Sequence, residues 1–156
     1  RVKKVIIGAM NSSHAMEHFR PGTLVITPGD REDVILAALS SSSSRGPAID
    51  GRTLPTVAAP GSTIASTRND TGGSCSTAIA GTSNRYAFCS GTSMASPHVA
   101  GAVVLAAEWW RSSHSGADPS MATAKALLVN AAVDMGAADI PNNNEGWGRV
   151  DITRVI

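Results

Sequence analysis

An α/β fold with a mostly parallel sheet and closely packed helices is what the sequence predicts, and three observations predict it. Short apolar runs alternate with helical patterns along the 156 residues. Aromatics make up only 4% of a chain that is 42% hydrophobic, which leaves the core to Ala, Val, Ile and Leu, as where helices pack tightly on a parallel sheet. One helical pattern, beginning near Ser93, consists almost wholly of small side chains and so allows very close packing.

The elements follow in order. Residues 5–9, 34–39 and 56–58 read as short buried strands, each bounded by Gly, Pro or Ser. Residues 93–110 read as a helix. A second helix is expected from a cap at Asp118 with Pro119 at its first position, its apolar residues Met121, Ala122, Ala126, Leu128, Val129 and Ala132 running on to about Val133. The serine run 40–44 reads either as a low-complexity linker or as a structured turn, and the Arg45-Gly46-Pro47 that follows favours the turn.

Composition is that of an ordinary globular chain able to bury one core. With 16% charged residues and a net charge of +1, it gives no reason to expect nucleic acid or an acidic surface as partner. No apolar run reaches the roughly 18 residues needed to span a bilayer, so no membrane partner is expected. The apolar stretch at the N-terminus is too short for a signal peptide, and any secretion signal is expected on sequence outside this chain.

The chemistry concentrates at Gly91-Thr92-Ser93-Met94-Ala95-Ser96-Pro97-His98-Val99-Ala100-Gly101. Gly91 permits a sharp turn, Thr92 and Ser93 can cap free N–H groups, and Pro97 falls in the first helical turn, where a missing N–H costs little. A hydroxyl nucleophile then stands at a helix N-terminus, whose dipole favours the negative charge that an attacked carbonyl oxygen develops. Ser93 reads as a catalytic serine.

This segment resembles the active-serine motif of the subtilases, the subtilisin-like serine peptidases. Ser44-Arg45-Gly46-Pro47, Asp50-Gly51-Arg52 and Ala59-Pro60-Gly61 resemble the stretch that precedes the serine in that family. Ala126-Leu127-Leu128, Asn130, Ala132 and the run from Asn144 through Gly146, Trp147, Gly148, Arg149 and Val150 resemble the end of its catalytic domain. The resemblance implies a subtilisin-like fold, of which residues 1–156 would be the C-terminal portion. It implies peptide-bond hydrolysis through a Ser93 acyl-enzyme, with a protein or peptide as substrate and no cofactor in the chemistry. Structural calcium sites stay open.

By the same resemblance Asn11 stands where the family carries the amide that donates to the oxyanion. Removing such a donor costs about 2.7 to 4 kcal/mol, a magnitude measured in subtilisin itself. Two other readings of Asn11 remain: a loop cap, and a glycosylation acceptor, because Asn11-Ser12-Ser13, like Asn69-Asp70-Thr71, matches that pattern. Met10 would form a wall and Ile26 the floor of the pocket for the residue preceding the scissile bond.

A serine nucleophile needs a general base and a carboxylate to orient it. His98 lies five residues after Ser93 on one helix and is read as packing, turned away from the nucleophile. His14, His18 and His114 fall in loops, where surface placement is the default. The family's His-Gly-Thr motif is absent. Asp70-Thr71-Gly72 spells the family's aspartate motif but follows a polar turn in the wrong order, so it is read as an Asx-type turn. The catalytic Asp and His are therefore expected from the remaining N-terminal half of the domain, outside this chain. A non-catalytic subtilase-like module, or an inactive fragment, is the alternative.

Cys75 and Cys89 read either as a disulfide or as two buried thiols, without the ligands of a zinc site. A bridge closing about 15 residues contributes about 3 kcal/mol in the chain-entropy account and would imply an extracellular setting. Against the family pattern, Met10 replaces a glycine, Leu54 and Thr56 flank Pro55 where Lys and Asp are common, and residues 39–44 are shorter than the usual hairpin.

Overall fold

The computed structural model describes residues 7–10, 39–69, 75, 77–136 and 139–156. Strand β1 (Ile7–Met10) pairs in parallel with β2 (Val57–Pro60), Ile7 standing opposite Val57 and Met10 opposite Pro60. Val57, Ala58 and Ala59 are all buried, so β2 is covered on both faces, as a continuous small apolar run permits. Its other edge is used as well. Ala58 donates to the Gly148 carbonyl at 2.8 Å and accepts from the Val150 amide at 2.9 Å, forming a parallel bridge to Arg149.

A second sheet is antiparallel, ordered β3 (Ile64–Thr67), β5 (Tyr86–Cys89), β4 (Thr77–Ala78). The expectation of a mostly parallel sheet is thus met only by the β1–β2 pair and its Arg149 bridge among the described residues. The antiparallel strands were not foreseen because two to four residues are too few for a period-2 pattern to declare itself.

The helices form one layer over β2. Helix α1 (Thr92–Ser113) buries Ala95, Val99, Ala102 and Ala106, spaced so that they share one face. These meet Val57 and Ala59 of β2, Leu128 and Ala131 at the end of α2 (Met121–Asn130), and Val155. Such small side chains let helix and strand approach closely.

Three expectations are corrected here. The cap of α2 is Ser120, whose hydroxyl accepts from the Thr123 amide at 3.1 Å, while the Asp118 carboxylate is engaged by the Arg111 guanidinium. The helix ends at Asn130 rather than Val133, because Val133 exchanges two 2.8 Å backbone bonds with Arg149. Helix α1 runs three residues beyond Trp110. The serine run is a turn, closed by Ser43 N–H to the Ser40 carbonyl at 3.0 Å, with Ser43 buried. Of the expected strand 34–39 only Leu39 lies within the described residues, and of 5–9 the first two residues lie outside them.

The C-terminal turn is anchored by a carboxylate. Glu145 is fully buried, accepting from the Met135 amide at 2.9 Å and from Asn142 Nδ2 at 3.2 Å. Gly146 beside it has φ 68°, and a Cβ there would lie 2.1 Å from the Pro55 carbonyl oxygen, so no other residue fits. Burial draws the nearby Arg149 guanidinium below its ordinary value, partly offset by the charge of Asp151.

Candidate active site

Two loops meet where α1 begins. Gly91 is its N-cap, at φ 149° and ψ 170°, a conformation open to glycine. Its amide donates to the Gly61 carbonyl at 2.6 Å, and the preceding Ser90 hydroxyl accepts from the Thr63 amide at 2.7 Å. Strand β3 and the lead-in to the helix are thereby held side by side. The sequence suggested Thr92 or Ser93 as capping side chains; no side-chain cap is present, because the cap position is occupied by a glycine. The Ser93 hydroxyl is therefore not spent on its own helix.

Ser93 is exposed and lines an open groove of about 330 Å³. Ile64, Ala65 and Ser66 of β3 form one wall, and Ser93, Met94, Pro97 and His98 of α1 the other. The first turn of α1 carries no acidic residue, so nothing within that turn offsets the positive end of its dipole beside Ser93. The β3 wall escaped the sequence reading. Its only signal was the Ala59-Pro60-Gly61 turn that aims the chain towards Gly91.

His98 reaches the same groove, contrary to the expectation that it turns away and packs. It is exposed, and its Nδ1 lies 2.8 Å from the Met94 carbonyl, a bond within its own helix. No hydrogen bond joins it to Ser93 among the described residues. His114 sits at the surface as expected, its ring stacked on Trp110 with centroids 3.6 Å apart. Met10 ends β1 opposite Pro60. Asn11, His14, His18, Ile26 and Asp70 lie outside the described residues, so their assigned places are not available from the geometry.

Cys75 and Cys89 form a disulfide, with Cα atoms 5.0 Å apart. Among the described residues no group of three His, Cys, Asp or Glu side chains could hold a metal ion, and no helix is long and apolar enough to cross a membrane.

The model of the subtilase family matches residues 5–148. The chain belongs to the subtilase family. Its fold is similar to that of the CspB protease of Clostridium perfringens, at 28% identity and a TM-score of 0.59 over 75% of this chain and 23% of that one. It is also similar to fervidolysin from Fervidobacterium pennivorans, a keratinolytic enzyme related to subtilisin, at 24% identity and a TM-score of 0.58 over 96% of this chain and 18% of that one. The fold is thus subtilisin-like, and the subtilase chain spans a quarter or less of these two relatives.

A second likeness is short. Over 38 residues the subtilase chain is 47% identical to the phosphate acetyltransferase of Pseudomonas aeruginosa, which is 24% of this chain and 5% of that enzyme.

Proposed function

We propose that residues 1–156 form the C-terminal portion of a subtilisin-like catalytic domain, and that Ser93 is the nucleophile of a serine endopeptidase acting on protein or peptide substrates. The observation that carries the reading is the placement of Ser93: exposed on a groove, uncommitted to a cap, and fixed at a helix N-terminus by the Gly91–Gly61 bond. In this reading Ser93 Oγ attacks the scissile carbonyl, its proton passes to a histidine supplied from outside this chain, and the oxyanion forms beside the α1 N-terminus. Asn11 would add a side-chain donor, with Met10 and Ile26 shaping the pocket. The missing half of the domain would complete a mostly parallel sheet. No cofactor takes part in the chemistry. The disulfide supports an extracellular setting.

A fluorophosphonate probe tests this. In the presence of the segment that brings the Asp and His, labelling is expected at Ser93 and is abolished in Ser93→Ala. The 156-residue chain alone should show no peptidase activity, because a donor without a base leaves only a small residual rate. Efficient turnover by the chain alone, lost in Ser93→Ala, would show that the base is within it.

The alternative is a non-catalytic subtilase-like module or inactive fragment. It is favoured by the described residues, which bring no histidine or carboxylate into hydrogen-bond contact with Ser93. Absence of labelling in every context would establish this reading.

A further inference from the structure

Three residues separate Cys89, the last residue of β5, from Ser93. The two sides of that lead-in are held by different means. On the β3 side hydrogen bonds continue past the sheet: Cys89 pairs with Ile64, Ser90 accepts from the Thr63 amide, and Gly91 donates to Gly61. On the β4 side the ladder is two residues long and ends at Thr77 opposite Phe88, with Ile79 N–H to the Tyr86 carbonyl at 3.0 Å on the far side. Beyond Phe88 the tie on that side, among the described residues, is the covalent bond from Cys89 to Cys75.

A two-residue strand does not hold itself against local opening, where stability falls towards zero for segments with few backbone bonds. The disulfide substitutes for the missing ladder. Both cysteines are half-buried, so neither is sealed within the core.

We propose that Cys75–Cys89 is a redox-sensitive clamp on the approach to Ser93, closed when oxidised and released by a dithiol reductant. The inference rests on the reading of Ser93 as nucleophile. One thiolate of the reductant attacks a cysteine sulfur, and the other cysteine leaves as a thiolate and takes up a proton. The second thiol of the reductant then resolves the mixed disulfide. Two electrons pass from the dithiol, which becomes a cyclic disulfide, and two cysteine thiols result. The freed side loses its tie at the residue from which the chain turns into Gly91.

Amide hydrogen exchange on the 156-residue chain, oxidised and then treated with dithiothreitol, reads the clamp without requiring activity. Reduction is expected to speed exchange at least tenfold at residues 90–94 and at Ile79, to leave Ala102, Ala106 and Leu128 unchanged, and to reverse on reoxidation with oxidised glutathione. The Cys75→Ser/Cys89→Ser double variant should match the reduced chain whether or not dithiothreitol is present. Unchanged exchange at residues 90–94 overturns the proposal, and so does uniform acceleration through both helices, which would make the disulfide a global staple. If labelling of Ser93 fails in every context while the exchange result holds, the peptidase reading fails and the clamp stands.

Discussion

Gly91 sets the position of everything that follows it in the chain. At φ 149° a side chain is strained even though a Cβ would have 3.9 Å to its nearest neighbour, so the demand is conformational rather than steric. Gly91→Ala is expected to lower unfolding free energy by about 1–3 kcal/mol, read by urea denaturation. Ser93→Ala should change stability by no more than about 0.5 kcal/mol, because the side chain is exposed and caps nothing. That contrast separates the residue that shapes the turn from the residue the turn presents. Asn11 needs its own test. As an oxyanion donor, its loss should slow acylation about 10²–10³-fold for all substrates alike, on the scale known from subtilisin, measured as the rate of probe labelling in the completed enzyme. An unchanged rate would remove Asn11 from the site. The motif around Ser93 was legible because a backbone demand, Gly at a positive φ, is written directly in residue type; Pro97, expected in the first turn, stands instead at the sixth residue of α1, in its second turn. The role proposed for Asn11 rests only on its order in the chain.

At the level of elements, local chemistry decided what pattern could not. Asp118 and Ser120 are both good caps, and a reading of the sequence favours Asp118 with Pro119 at the first helical position. In the structure Arg111, at the end of the preceding helix, engages the carboxylate, and Ser120 takes the cap. Ser120→Ala should therefore cost about 1 kcal/mol in thermal or urea unfolding. Asp118→Ala, which loses an exposed ion pair, should cost at most about 1 kcal/mol and less as salt is added. Glu145 shows the same limit more sharply. It lies in the run that resembles the end of the family's catalytic domain, and it is fully buried with each carboxylate oxygen accepting one bond from a neutral donor. Glu145→Gln keeps the shape but turns an NH₂ towards one of those two donors. A loss of about 1–3 kcal/mol is expected, because one buried donor is left without an acceptor. The pairing of Glu145 with Met135, ten residues earlier, was not readable from spacing.

On the scale of the whole molecule, α1 is the unresolved surface. Its small side chains allow very close packing, and one face is buried: Ala95, Val99, Ala102 and Ala106 meet β2 and α2. The opposite face is not. From Ser96 through Pro97, Ala100, Gly101, Val104 and Leu105 it is exposed and carries no charge until Glu108, with Val104 at 64% and Leu105 at 49% exposure. A water-facing helix surface is ordinarily charged, and an uncharged one several turns long favours association. The chain alone is therefore expected to self-associate as its concentration rises, followed by sedimentation velocity. Val104→Glu and Leu105→Lys together should restore a monomer while leaving helix content unchanged by circular dichroism, since neither residue contributes to the buried face. The same pair should weaken any complex with the segment that completes the catalytic domain, if that segment covers this face. If instead the wild-type chain stays monomeric at high concentration and unfolds cooperatively, the face is tolerated in water and does not drive association.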